Sequence, residues 1–174
     1  MQSYDFLCTF ALDLNISSMG KEKMMVKSFD ELTKKELYDA LFLRAKVFVV
    51  EQECAYLDLD YLDQKCLHCL LYDKDELVAY ARVIPAGLQH EDVGIGRVVT
   101  SRQGQGYGYR IFAEAMKAAK EKLGARRIEI ASQAYIQNFY RQFGFRAASE
   151  EYILEFRPHL TMIWEAPESE NDPT

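Results

Sequence analysis

Three glycines crowd the stretch Arg102-Gln103-Gly104-Gln105-Gly106-Tyr107-Gly108-Tyr109-Arg110, and this stretch constrains the chain more than any other. A strand-like segment, Val93-Gly94-Ile95-Gly96-Arg97-Val98-Val99-Thr100, precedes it, and a helical one, Tyr109 to Leu123, follows. An ordinary strand-to-helix turn needs one glycine. Several glycines let the backbone approach an anion closely. A helix N-terminus adds unpaired N–H groups and the positive end of a dipole, so the loop reads as a pyrophosphate cradle.

The 174 residues suffice for one domain with a real core. With 49% hydrophobic and 13% aromatic residues, most of the chain is excluded from the disordered class. A net charge of −6 argues against a surface that coats nucleic acid, and leaves room for a basic pocket. No apolar run approaches the roughly 20 residues of a membrane span. Asp5 and Asp13 interrupt the first 18 residues, which lack the basic start of a signal peptide. Cys66-Leu67-His68-Cys69 resembles half a zinc site, but only Cys54 lies nearby and no second ligand pair follows. Cys8, Cys54, Cys66 and Cys69 therefore read as reduced thiols packed near a strand, which suits a cytoplasmic protein without a metal.

Along the chain, Val26–Phe29 reads as a first strand. Thr33 and Glu36 form a capping-box pair ahead of a helix through Leu37, Leu41 and Arg44. Residues 51–64 read as an acidic loop. Leu67–Tyr72 and Glu76–Ile84 are strands joined by a turn at Asp73-Lys74-Asp75, and Pro85 stops the second. After the glycine loop and its helix, ended by Gly124, come a strand at Arg126–Ile130 and a helix at about Ile136–Gln142. A closing hairpin follows, Tyr152–Phe156 with His159–Trp164. This order implies a mixed sheet in an α/β (α+β) domain. Residues 1–24 sit apart from this pattern and are expected outside the domain of residues 25–166. They are either an extension upstream of a start at Met24 or Met25, or an accessory segment. Residues 167–174 form an acidic tail.

A dinucleotide fingerprint, G-x-G-x-x-G, fails because Ile111 occupies the third glycine position and too little chain follows for a second half. Gln103-Gly104-Gln105-Gly106-Tyr107-Gly108 is instead similar to the Q/R-x-x-G-x-G/A loop of the GNAT superfamily of N-acetyltransferases. Gln103 stands where Arg is usual. Asn138-Phe139-Tyr140-Arg141-Gln142-Phe143-Gly144-Phe145 resembles the superfamily's second signature, an aromatic-Tyr pair followed by Gly-Phe. Leu43-Arg44, Val47 to Gln52, Cys54, Tyr56, Asp58, Asp60, Asp63, His68, Glu76 to Arg82, Ile95 to Val99, Gln133-Ala134-Tyr135 and Pro158-His159 resemble its ElaA-like branch.

The resemblance implies an acyl-CoA N-acyltransferase fold, a mostly antiparallel sheet flanked by helices and splayed between the Val93–Thr100 and Arg126–Ile130 strands. Acetyl-CoA would be the co-substrate. Gln103, Gly104, Gln105, Gly106, Tyr107 and Gly108 would cradle its pyrophosphate, and the edge at Arg97, Val98 and Val99 would pair with its pantetheine arm. Gln133 and Asn138 would bond the arm's amides. The Val99 N–H would hold the thioester oxygen, and Tyr140 would meet the departing thiolate. Glu51, Asp58, Asp63, His68 and His159 are candidate bases or acceptor-binding groups. The acidic loop would form a negative mouth for a cationic amine, a polyamine-like or aminosugar-like molecule or a peptide amine. A homodimer stays open. So does a catalytically weak or inactive acyl-CoA-binding sensor.

Overall fold

The computed structural model describes residues 22–167. Eight strands form one sheet in the order β1-β2-β3-β4-β5-β8-β6, with β7 pairing on β8. They are β1 (Glu22–Ser28), β2 (Leu67–Asp73), β3 (Glu76–Ile84), β4 (Val93–Thr100), β5 (Arg127–Gln133), β6 (Arg146–Ala147), β7 (Tyr152–Leu154) and β8 (Arg157–Glu165). The pairs are antiparallel except β4–β5, which is parallel. Helix α1 (Lys34–Arg44) runs into a π-helical turn at Ala45–Glu51; α2 (Tyr107–Leu123) joins β4 to β5, and α3 (Gln137–Arg141) follows β5.

Both faces of the central strands are covered, so β2 and β3 are near-continuous apolar runs. Cys69, Leu71, Ala79 and Ala81 join the cluster of Ile111, Phe112 and Ala115 on α2. Leu70, Tyr72 and Tyr80 join Ala40 and Leu43 of α1 and Val47 of the π turn. Thr33 and Glu36 make the expected reciprocal cap of α1, which satisfies two otherwise orphan N–H groups. Phe112 is fully buried, with the rings of Tyr140 and Phe143 at 5.0 and 4.8 Å. Burying such a ring contributes about 1.5–3 kcal/mol, and here it also fixes Tyr140 in place.

Several boundaries differ from the sequence reading. Strand β1 begins at Glu22, so Glu22, Lys23 and Met24 pair with Asp73, Tyr72 and Leu71, and a domain start at residue 25 cuts through the strand. Residues 1–21, with Cys8, lie outside the described residues. Helix α2 begins at Tyr107 because Gly106 is its N-cap, which makes Tyr107 and Gly108 its first turn. Strand β5 extends to Gln133, and the short strand β6 was not anticipated. Among the described residues no helix is long and apolar enough to cross a membrane.

Candidate active site

Strands β4 and β5 pair only at Val93–Ile128 and Gly94–Glu129, and beyond these two pairs they diverge. The expected splay is present, and a bulge in β4 accompanies it. Between the pairs Tyr80–Val99 and Arg82–Gly96, the two residues Arg97 and Val98 oppose Ala81 alone. Arg97 takes a left-handed φ of 52°, uncommon for a residue with a long side chain.

The register decides which N–H faces the gap. Ser101 donates its N–H to the Val78 carbonyl at 2.9 Å. Bonded and non-bonded pairs alternate along an antiparallel ladder, so Tyr80–Val99 is the next bonded pair. The Val99 N–H therefore points at β3. Val98, one residue earlier, turns its N–H and C=O toward the open side. The N–H that faces the gap is therefore that of Val98, not of Val99.

A cleft of about 350 Å³ opens along this gap. Gly96, Arg97 and Val98 line one wall; Gln133 and Tyr140 line the other; Arg157 and His159 close it from β8. Tyr140 is 7% exposed, and burial raises its phenol pKa well above the usual 10. It is a ring of the core and a wall of the cleft at once. His159 Nδ1 lies 2.9 Å from the Arg157 carbonyl, which can only accept. Nδ1 is thus the donor, which leaves Nε2 as the ring nitrogen that can exchange a proton. Gln133 Oε1 is buried without a partner among the described residues, while its Nε2 reaches Gln52 Oε1 at 3.4 Å.

The acidic loop does something other than expected. Asp58 meets Arg44 Nε at 2.8 Å and Arg97 Nε at 2.7 Å. Asp63 Oδ1 meets Arg44 Nη1 at 2.9 Å and Arg82 Nη1 at 2.8 Å. Asp60 pairs with Arg82 at 2.6 Å and Arg97 at 3.5 Å. Three carboxylates and three guanidinium groups balance, and most of them are buried. Arg97 Nε has no hydrogen bond despite its short distance to Asp58, so that contact is ionic rather than directional. Asp58 and Asp63 therefore hold arginines, and no negative mouth remains at these positions. The network grips the bulge through Arg97 and so supports the direction of the Val98 N–H.

His68 is also excluded from the cleft. It is 1% exposed, its Nε2 donates to the Asp63 carbonyl at 2.9 Å, and its Nδ1 accepts from Tyr80 Oη at 2.7 Å. Burial lowers its pKa, so the ring is neutral and structural. Glu51 is exposed, 3.8 Å from Lys46, and does not line the cleft. Asn138 is exposed and accepts from Arg141 at 3.3 Å, away from the cleft wall. Cys54, Cys66 and Cys69 are buried free thiols. Burial pushes Cys66 up to about 11 and Cys69 up to about 12, the reverse of a reactive thiol.

The glycine loop lies past the end of β4, exposed, at the start of a 17-residue helix. Gly104 and Gly106 have φ of 72° and 71°, the left-handed region that disfavours other residues. A Cβ at either would meet nothing within 4 Å, so the loop leaves open space beside its backbone. The first N–H groups of α2 face that space without intrahelical partners. Gln103 and Gln105 are exposed beside them. Arg102 is drawn off to Glu76. Sequence reasoning named no role for Arg82, Gln52 or Arg157. An arginine inside the apolar run of β3 was the available signal, because a charge buried there requires a carboxylate partner.

Residues 30–166 match the acetyltransferase (GNAT) domain. A UPF0039 protein of Schizosaccharomyces pombe is 40% identical over 148 residues, 83% of this chain and 97% of that one. Protein ElaA of Escherichia coli is 37% identical over 139 residues, 78% of this chain and 91% of its own. The crystal structure of Escherichia coli ElaA superposes with a TM-score of 0.77 at 35% identity, covering 83% of this chain and 99% of that one. An acyl-CoA N-acyltransferase from Pseudomonas aeruginosa gives 0.77 at 36% identity, covering 82% and 98%. With the splayed sheet, the glycine loop at the start of α2 and Tyr140 in the cleft, these likenesses place the chain in the GNAT acetyltransferase family, on its ElaA-like branch.

Proposed function

We propose that the chain moves the acetyl group of acetyl-CoA directly to a primary amine. One observation carries the reading: the unpaired edge at Val98, the Tyr140 phenol and the free Nε2 of His159 meet in one cleft. The fit to the co-substrate rests on the open cradle at Gly104 and Gly106 and on the orphaned Gln133 Oε1, an acceptor suited to an amide N–H. Acetyl-CoA supplies the activated thioester.

The residues of this chain do the rest. The loop from Gln103 to Gly108 and the α2 N-terminus hold the pyrophosphate through backbone N–H groups and the helix dipole. The edge at Arg97 and Val98 holds the pantetheine arm, Val99 being turned to β3. His159 Nε2 takes a proton from the acceptor ammonium, and the Val98 N–H stabilises the oxyanion that forms as the amine adds. Tyr140 donates to the departing sulfur. Its pKa lies above 10 and that of a thiol near 8.5, so full proton transfer is uphill by more than about 2 kcal/mol. Tyr140 therefore acts as a hydrogen-bond donor that stays protonated. Holding both reactants in one cleft contributes a large share of the acceleration.

Release of free thiol from acetyl-CoA, screened against a panel of amines, tests this. His159→Gln should lower turnover about 10²-fold or more while acetyl-CoA affinity is unchanged. Binding of acetyl-CoA with no thiol release from any amine would favour the sensor alternative.

A further inference from the structure

The cleft contains three arginines, but only one of them has charge to offer. Arg82 and Arg97 are occupied by Asp58, Asp60 and Asp63. Arg157 lines the same cleft, half-buried, and no carboxylate lies within 4 Å of it among the described residues. Its one side-chain hydrogen bond among the described residues runs from Nη2 to the Gln52 carbonyl at 2.6 Å. A guanidinium has five N–H donors in a fixed fork, so most of this fork remains to be satisfied.

The arginine is also held in place. Gln52 receives Arg157 on its carbonyl and Gln133 on its side chain, and its own N–H is tied to Val47 at the end of the π turn. Arg157 and His159 are two residues apart on β8 and so lie on one face, about 7 Å apart along the strand. Glu155 lines the cleft two residues before Arg157 and makes no ion pair with it. One unpaired cation and one unpaired anion thus flank the base. The rim beside them is apolar, with Leu57, Tyr135 and Leu154 exposed.

We propose that the acceptor is an amine that also carries a carboxylate, namely a free amino acid. Arg157 takes the carboxylate through a two-pronged charge-assisted contact. Glu155 meets the ammonium, which His159 deprotonates. A polyamine would place a second positive charge against Arg157 and is disfavoured. This inference rests on the acetyl-transfer reading of the cleft.

The test uses the full chain and three matched pairs: leucine, phenylalanine and lysine, each against its own carboxamide, with spermidine as the polyamine. Thiol release is measured with acetyl-CoA, and equilibrium binding is measured by calorimetry on the CoA-loaded protein. At least one acid should exceed its carboxamide by about 10–100-fold in kcat/KM, the range expected for one charge-assisted contact. Arg157→Gln should raise KM for that acid until the preference falls below about 3-fold, with KM for acetyl-CoA unchanged. Arg157→Lys should retain part of the preference, because the charge stays and the fork is lost. Carboxamides or spermidine turned over as well as the acids would overturn the carboxylate site and leave acetyl transfer standing. So would a preference that survives Arg157→Gln in a protein of normal melting temperature. Arg157-dependent binding of an acid with no thiol release from any amine would sink the transfer reading and leave the carboxylate site standing. No binding and no turnover of any acid would overturn the inference.

Discussion

Replacing Asp63 by Asn separates a structural carboxylate from an acceptor-binding one. The Asp63 carboxylate touches two guanidinium groups at 2.9 and 2.8 Å, and side-chain exposure is 8% for Asp63 and 1% for Arg44 and Arg82. Breaking a buried pair by removing one partner typically costs about 3–5 kcal/mol, because the remaining charge stays buried. Arg44 keeps Asp58 and Arg82 keeps Asp60, so the lower end, about 3 kcal/mol, applies here. At about 2–4 °C per kcal/mol for a domain of this size, the melting temperature should fall by roughly 6–12 °C. Urea unfolding should show the same loss as a lower midpoint with an unchanged slope. Glu51→Gln is the control. Its partner Lys46 is 3.8 Å away and both side chains are more than 40% exposed, so the change should be near zero. If Asp63→Asn melts within about 2 °C of the wild type and raises only the KM for the amine, the structural reasoning is wrong. The acidic loop would then regain an acceptor role.

Tyr140→Phe should keep the fold and acetyl-CoA affinity and lower turnover about 10²-fold, as measured by thiol release; unchanged turnover would make Tyr140 a core ring only. A chain beginning at Met25 loses three strand pairs and the Glu22–Arg110 ion pair, and should melt several degrees lower than the full-length protein by calorimetry. Stability should decline on acidification in two stages. The folded pKa of His68 is depressed from 6.5 by burial, so its contribution is complete above pH 6.5 and is lost as pH falls below it. Asp60 is held at about 2 by Arg82, the Leu62 N–H and Arg97 against burial, so its contribution is lost between about pH 4 and 2; Asp63 is lowered too and its contribution is likewise lost on acidification. Denaturant melts across pH should show both stages, and His68→Gln should remove the first.

Local pattern and punctuation specify much of this architecture. Strands β3 and β4 fall where the apolar runs, Pro85 and the glycines put them, and the Thr33–Glu36 box marks the start of α1. What stayed hidden depends on distant partners. Asp58, Asp60 and Asp63 read as an acidic mouth because Arg44, Arg82 and Arg97 lie 14 to 39 residues away in sequence. No local rule shows that charges so separated meet. The choice between Val98 and Val99 turned on one residue of register, set by a bulge at Arg97. An arginine with a left-handed φ carries none of the usual signs of a bulge, which Gly or Asn would have given. The same holds for the β7–β8 turn, where Glu155 and Phe156 have φ of 49° and 65° with no glycine between the strands. Tyr140 was found by resemblance, since ring spacing alone describes a core aromatic.

The central claim is that the loop at the start of α2 holds acetyl-CoA for transfer in the β4–β5 cleft. Calorimetric titration of acetyl-CoA into the wild type and into Gly106→Val tests it most directly. The account predicts one-to-one binding by the wild type. It predicts at least about 10-fold weaker binding by Gly106→Val, because a β-branched residue at φ 71° costs about 1–2 kcal/mol and moves the cradle. No binding by the wild type, or equal affinity in a folded Gly106→Val protein, would contradict it.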